Sequence, residues 1–363
     1  MLDFMNYCLQ QYYKTFGWTE QNYYSSLSSA SDSILNFETP HGLGLRLGKP
    51  ISPLLFASYS LGLPSDKSIG FLFSSLPLKI SPLPLVEKPW PISLPFDLED
   101  SITVTSQETT GTLPETNHSH LSNPEALAKL AQQILTWTHS RLPTLEEDYL
   151  LYGRLDQDFS LEGLYSRRLL KSTFLVVSGT NSWSTPASSI HTQLLHNSSR
   201  WCGELSYTSE DHIFGLSGLY RFLNSGWAVG GELYYTARER SGGLSLGARY
   251  SRQYAETAHS VMSFVCNPMM GHLSATYTAT VRPHLDISTR YDLNVFSFES
   301  DVSAGLEYSP IDKAHVFKTS VSLAEGFAVK FESRFHRLIA SVGLKTGFQR
   351  HSMQSLGLEL QFC

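Results

Sequence analysis

The stretch Ser355-Leu-Gly-Leu-Glu-Leu-Gln-Phe362 near the end of the chain alternates strictly between apolar residues and polar or small ones. In an extended conformation its two faces separate into Leu356, Leu358, Leu360 and Phe362 on one side and Ser355, Gly357, Glu359 and Gln361 on the other. A period of two predicts a strand with one apolar and one polar face. In an open sheet such a strand would be an exposed edge, whereas in a closed barrel it pairs with the first strand. We therefore interpret it as the closing strand of a barrel.

The same alternation runs through most of the chain. It is regular in six further stretches, which are residues 244–250, 273–280, 285–294, 302–308, 327–334 and 338–345. Shorter or looser alternation occurs at residues 43–48, 57–61, 69–73, 159–165, 174–177, 203–207 and 231–235. The polar faces carry charges of both signs, and we expect them to face water. Short connections rich in Gly, Ser, Asn and Pro predict hairpins between neighbouring strands.

These strands predict an all-β transmembrane barrel of the up-and-down type. A membrane-spanning strand takes about 9–11 residues, so residues 41–76 and 151–363 have room for about nineteen strands with their turns. The composition agrees, because charged residues make up 17% of the chain and aromatic residues 12%, with Tyr and Phe the most frequent. A chain poor in charge and rich in Tyr and Phe suits strands that face lipid on one side.

Charge and hydropathy exclude several other classes. The 363 residues include 27 basic and 33 acidic side chains, and no basic patch is interleaved with aromatic residues, so nucleic acid is not an expected partner. No stretch approaches the roughly 20 apolar residues of a transmembrane helix. Residues 1–16 lack the basic region of a secretory signal, which argues against a bacterial outer-membrane protein.

Two segments depart from the strand pattern. Apolar residues at spacings of three and four, followed by Gly17, predict a helix over residues 1–17 that covers a core or lies in the pore. The rest, 18–363, reads as a single barrel domain interrupted by an insertion at 77–150. Seven prolines, which are excluded from central strands, lie between Pro77 and Pro114. A helix is predicted at 124–141.

No catalytic, metal-binding or cofactor-binding constellation stands out. His118 and His120 have no third ligand nearby, and the four cysteines have no paired spacing. We therefore expect no catalytic residues, no bound metal and no cofactor.

Two pairs of phenylalanines have the spacing of residues that project from one face of a strand: Phe71 with Phe73, and Phe296 with Phe298. One interpretation is that they are lipid-facing aromatic residues of the barrel's girdles. The alternative is that each pair is a protein contact on the outer wall, because aromatic side chains are typical hot spots. The two pairs lie far apart in the sequence, so as protein contacts they would form two separable surfaces.

Several segments resemble the mitochondrial distribution and morphology protein 10 family of fungi, namely residues 1–5, 23–27, 35–40 and 70–78 and the final strand. The resemblance implies a nineteen-stranded barrel of the mitochondrial porin type with its N-terminal helix inside the pore. The last strand also resembles the sorting signal of mitochondrial outer-membrane barrels, whose four defined places are filled here by Ser355, Gly357, Leu360 and Phe362.

The resemblance also implies a function that is not enzymatic. It places the protein in the mitochondrial outer membrane, in contact with its lipid and at ER contact sites. There it would anchor the lipid-transfer subunits of the ER–mitochondria encounter structure, which tethers the two membranes and exchanges phospholipid. It would also assist the core barrel and peripheral subunits of the sorting and assembly machinery.

Two alternatives stay open. The first is a metabolite pore of the voltage-dependent anion channel type, which a net-basic lumen without a large insertion would favour; the net charge here is −6. The second is a soluble β-rich enzyme or carbohydrate binder, which would pack both faces of many strands within protein.

Overall fold

The fold is a closed barrel of nineteen strands, seen in a computed structural model that describes residues 4–16, 23–63, 66–78, 148–170, 172–182, 188–222, 225–255, 258–310, 314–348 and 355–362. The strands are β1 (Gly42–Pro50), β2 (Leu55–Leu63), β3 (Asp66–Ser74), β4 (Tyr149–Asp156), β5 (Leu161–Leu170), β6 (Thr173–Asn181), β7 (Ser188–Asn197), β8 (Trp201–Thr208), β9 (Ile213–Arg221), β10 (Trp227–Thr236), β11 (Ser241–Ala255), β12 (Ala258–Asn267), β13 (His272–Arg282), β14 (Leu285–Asn294), β15 (Ser300–Tyr308), β16 (His315–Ser322), β17 (Gly326–Phe335), β18 (Leu338–Thr346) and β19 (Ser355–Phe362). This confirms the predicted fold class and strand number.

The barrel closes where β1 pairs with β19. Every other neighbouring pair is antiparallel, and an odd number of strands then forces this last pair to be parallel, with Gly42 opposite Gly357 and Leu47 opposite Phe362. The final strand has the predicted faces, because Leu356 is 69% exposed on the outer wall whereas Gly357 is buried on the inner one. The expected closing strand is therefore confirmed.

Successive hairpins lie at opposite ends of the barrel. We call the end where β1 begins the entry rim and the end where β1 finishes the exit rim. Because neighbouring strands alternate in direction, β3 ends and β4 begins at the exit rim, where β19 also ends. The two strands are connected by residues 75–148, so the last two residues of the predicted insertion 77–150 belong to β4. Residues 79–147, with the predicted helix 124–141, lie outside the described residues.

The outer wall is apolar around the barrel, as contact with lipid requires. Large hydrophobic side chains such as Leu43, Phe71 and Tyr277 are each more than half exposed. The residues between them point inward and include buried serines and threonines such as Ser217, Thr278 and Ser288.

The expectation of a uniformly wet inner face is wrong for the strands from β2 to β9. Their inward side chains include five that are almost completely buried, namely Phe56, Leu72, Leu150, Phe174 and Leu219. They join one apolar cluster with residues of the N-terminal helices. These strands therefore carry apolar side chains on parts of both faces, because they have lipid outside and the N-terminal helices inside.

Two helices precede the barrel, α1 (Phe4–Thr15) and α2 (Ser29–Leu35), with a short 3-10 turn at Tyr24–Ser26 between them. They belong to the same compact unit as the strands. Within the described residues, no helix combines the length and the hydropathy needed to cross a membrane.

The placement of Phe296 and Phe298 on a strand is wrong. β14 ends at Asn294 and β15 begins at Ser300, so both phenylalanines lie in the connecting turn, where Phe298 has φ +57°. The side-chain oxygen of Asn294 accepts hydrogen bonds from the backbone N–H groups of Phe296 (2.9 Å) and Ser297 (3.1 Å). This Asx turn ends the strand although the apolar alternation continues through it.

Candidate functional site

The N-terminal segment, residues 4–16 and 23–41, follows the inner wall of the barrel and is the main feature of its interior. α1 packs first against β1, β2 and β3. The ring of Phe4 lies over Gly48 and meets Phe56 edge-on, with 6.4 Å between ring centroids. The end of the Met5 side chain lies over Gly70, where an added Cβ would be 3.4 Å away.

The end of α1 is held by an aromatic cluster on β6. The ring centroids of Tyr13 and Phe16 lie 5.9 and 5.7 Å from that of Phe174, both edge-on. The guanidinium of Arg168 lies 4.8 Å from the centroid of Phe16 and adds a cation–π contact. The side chain of Phe174 is fully buried, so it is the principal apolar anchor of this helix on the wall.

The next part of the segment contacts the strands from β8 to β11. The phenol of Tyr24 donates a hydrogen bond of 2.7 Å to Ser245 Oγ, and the hydroxyl of Ser25 donates one of 3.3 Å to Glu204 Oε2. Burial raises the pKa of Tyr24, which therefore stays a donor at neutral pH. Leu27 packs on Gly247, where a Cβ would lie 2.5 Å from Leu27 Cδ1.

α2 then lies against β13 to β16 and is held by polar contacts and by a buried apolar side. Arg290 forms an ion pair of 3.3 Å with Asp32, and Lys318 Nζ donates a hydrogen bond of 2.8 Å to the Ser33 carbonyl. On the apolar side of the helix, Leu35 packs against Gly305. The segment finally crosses β18 and β19 at Thr39 and Pro40 before β1 begins. In chain order it therefore passes round the inner wall from β1 to β19.

The space that remains is divided and electrically mixed. Two cavities of about 310 and 600 Å³ adjoin the linker between α2 and β1, and the charged side chains that line them are Glu38, Arg46, Arg154, Arg290, Glu325, Lys330, Lys345 and Glu359. Several lumen charges are paired with the opposite sign, as in Arg46–Glu359 at 2.5 Å and Lys330–Glu332 at 3.0 Å. Selective pores use rings of like charge, and paired charges of both signs do not supply one.

Phe71 and Phe73 lie on the outer wall of β3, as predicted from the alternation. The ring of Phe71 covers Gly153 on β4, where an added Cβ would lie 2.6 Å from the ring. Phe73 is 6.0 Å from Tyr149 between ring centroids, and Tyr149 is 6.5 Å from Tyr165. This row of rings lies close to the exit rim. Its role as a protein contact stays a prediction.

Phe296 and Phe298 lie at the other end of the barrel, in the β14–β15 turn at the entry rim. They are 67% and 84% exposed, and the Phe296 ring covers Gly271 of the β12–β13 turn. Met269 and Met270 in that turn are also about 60% exposed. The two phenylalanine pairs are therefore well separated, one on the outer wall of β3 and the other in a turn at the entry rim. The partner contact of this pair is also still a prediction.

The four residues of the predicted sorting signal divide between the two faces of β19. Ser355 and Gly357 face the lumen, whereas Leu360 and Phe362 face outward. That an assembly machinery recognises these four residues stays a prediction. Across the described ranges, no three His, Cys, Asp or Glu side chains are grouped so that they could hold a metal ion.

Sequence reasoning missed the glycines on which the N-terminal segment rests. They lie on the inner face and are Gly70, Gly247, Gly305, Gly343 and Gly357. In the sequence they occupy positions of the polar face, where the alternating pattern does not distinguish a glycine from a serine. One signal for the glycine beneath α1 was available in the sequence, because the strands that contact α1 show looser alternation.

Comparison with known proteins gives a consistent result along the chain. A family model described as "Mitochondrial distribution and morphology protein 10" matches residues 1–314. The protein of that name from Yarrowia lipolytica is 29% identical over 100% of this chain and 99% of its own length. Its namesakes from Phaeosphaeria nodorum and Postia placenta are 27% and 26% identical, over 100% of this chain and 100% and 99% of their own lengths.

Proposed function

This chain belongs to the mitochondrial distribution and morphology protein 10 family, and we propose that it is an outer-membrane anchor with two roles. In the first it holds the lipid-transfer subunits of the ER–mitochondria encounter structure at ER contact sites, where the membranes are tethered and phospholipid is exchanged. In the second it is an accessory subunit of the sorting and assembly machinery, in which new barrels are completed.

The observation that carries the proposal is the course of the N-terminal segment inside the barrel. Residues of α1, α2 and the linker contact the inner wall from β1 to β19, so the chain's own residues occupy much of the lumen. A barrel filled in this way has its binding surfaces on the outer wall and the rims. The two aromatic pairs, one on the outer wall of β3 and one exposed in a turn at the entry rim, are suited to two different protein partners.

The second candidate, a metabolite pore of the anion-channel type, shares the nineteen-stranded architecture. The lumen argues against it on two grounds: the N-terminal segment narrows the passage, and several of the lumen's charged side chains are paired with the opposite sign. An anion-selective pore would instead need unpaired positive charges along its path.

The proposal is tested by purifying the tagged protein from isolated mitochondria in a gentle detergent and identifying the proteins that accompany it. We expect both the lipid-transfer subunits and the barrel-assembly subunits to be recovered. If the protein resists alkaline extraction but brings neither set with it, the anchor proposal is wrong and the pore becomes the better account.

A further inference from the structure

Gly357 lies where the N-terminal segment crosses the inner wall to enter β1. A Cβ at this position would overlap the carbonyl group of Pro40 and come within 2.8 Å of the His41 nitrogen. Both neighbours are backbone atoms, which cannot turn away as the end of a flexible side chain can. The linker can take this course only because residue 357 has no side chain.

A second glycine continues the same flat surface. Gly343 on β18 is paired in register with Gly357, and a Cβ there would lie 2.6 Å from Pro40 Cδ and 3.1 Å from Thr39 Cβ. Thr39 and Pro40 therefore rest on two glycines that stand side by side on the last two strands.

Gly357 also lies in the pair of strands that closes the barrel. In the parallel β1–β19 pair, Gly42 is opposite Gly357, so the chain rests on β19 and then pairs with it within two residues. Gly42 has φ +65°, which allows the chain to turn from the lumen into the wall. We call the parallel β1–β19 pair the seam. The contact with the linker and the pairing at the seam therefore both involve one short stretch of β19.

We propose that Gly343 and Gly357 form a docking seat for the linker Thr39–His41. In the finished barrel, the seated linker holds the N-terminal segment in the lumen and keeps the β1–β19 seam paired. Gly357 then has a structural role in the folded protein, separate from its place in the predicted sorting signal. This inference concerns the chain alone and does not depend on which complexes the protein joins.

The test uses the purified full-length chain refolded from denaturant into detergent, so that no assembly machinery is present to read a sorting signal. Cys8 in α1 is fully buried and serves as the reporter when Cys202, Cys266 and Cys363 are replaced by Ser. The rate at which a maleimide alkylates Cys8 measures how often the segment leaves the wall.

We expect Gly343→Ala and Gly357→Ala each to raise the Cys8 alkylation rate roughly tenfold, because a methyl group would be forced into occupied space. Adding Pro40→Ala should restore slow alkylation to Gly343→Ala by removing the ring atoms that clash. It should not restore it to Gly357→Ala, whose clash is with backbone atoms. Gly44→Ala is the matched control, since the nearest atom to its Cβ would be in the flexible Glu359 side chain, at 3.2 Å, and the nearest backbone atom would lie at an ordinary contact distance of 3.8 Å.

The proposal is overturned if Gly343→Ala alkylates at the rate of the parent chain, or if Pro40→Ala does not slow the alkylation of the Gly343→Ala chain. This pair of variants decides the matter even if Gly357→Ala does not refold. A defect of Gly357→Ala seen only during import into mitochondria, with normal refolding in detergent, would assign that glycine to signal recognition alone and contradict the seat.

Discussion

Phe71 and Phe73 share one face of β3 but differ in their contacts. Phe71 fills the space over Gly153, whereas Phe73 lies beside Tyr149 in a row of rings close to the exit rim. Phe296 and Phe298 are in a turn at the opposite rim and are more exposed. Individual aromatic residues can therefore be assigned to separate surfaces, and each surface can be removed without touching the other.

Replacing Phe71 and Phe73 with Ala should weaken one of the two proposed complexes and spare the other. Loss of hot-spot aromatic residues removes about 2 kcal/mol or more of binding free energy, which is visible as reduced co-purification. The matched control is Phe317→Ala with Phe331→Ala, an outward-facing pair on β16 and β17 that is 38% and 44% exposed. Survival of both complexes, or loss of both through failed insertion, would refute the assignment.

A buried ion pair joins Lys330 and Glu332, and a single substitution tests its contribution to stability. The two side chains are only 5% and 2% exposed on the inner face of β17. We expect Glu332→Ala to lower the free energy of unfolding by about 3 kcal/mol, because it leaves a buried ammonium without its carboxylate. Denaturant titration in detergent measures this. Asp211→Ala is the control, since it removes an exposed ion pair with Arg238 and should change stability by about 0.5 kcal/mol or less.

α1 is held to the wall by aromatic contacts, whereas α2 combines charged and polar contacts with the buried side chains of Ile34 and Leu35. The cluster of Tyr13, Phe16 and Phe174 joins the end of α1 to β6, whereas Arg290 and Lys318 hold α2. The two helices should therefore respond differently to salt, with α2 loosening first as screening increases.

Phe174→Ala should release α1 from the wall. Truncating a buried phenylalanine removes about 3–5 kcal/mol from the structure that it supports. Faster alkylation of Cys8 is the measurement, and the outward-facing Phe264→Ala, which is 44% exposed, is the control. Equal alkylation rates in the two variants would mean that other contacts hold α1.

Among the strands from β11 to β19, all but β12 and β16 could be predicted closely, because they have lipid outside and polar side chains inside and period two is undisturbed. The strands from β2 to β9 were harder, since Phe56, Leu72 and Phe174 put apolar residues on the inner face to meet α1. The turn at Asn294 was missed because a single side-chain oxygen ends the strand while apolar residues continue. The course of the N-terminal segment depends on close approach to particular glycines, which alternation does not reveal.

At the scale of the whole molecule, the odd number of strands and the N-terminal segment are connected features. Nineteen strands make β1 and β19 parallel, so both begin at the entry rim, and the linker reaches β1 from inside the barrel by crossing β19. β3 ends and β4 begins at the exit rim, where β19 also ends. The molecule therefore has a filled interior and two rims with different exposed features, which suits an anchor with two sets of partners.

The most direct test of this account is the conductance of single barrels in planar lipid bilayers, compared between the full-length chain and a form that lacks residues 2–36 but keeps the linker and β1. The account predicts that the full-length barrel conducts much less than the shortened one, because the segment that follows the inner wall narrows the lumen. Equal conductance of the two forms would contradict it, since the segment would then not occupy the passage in the membrane.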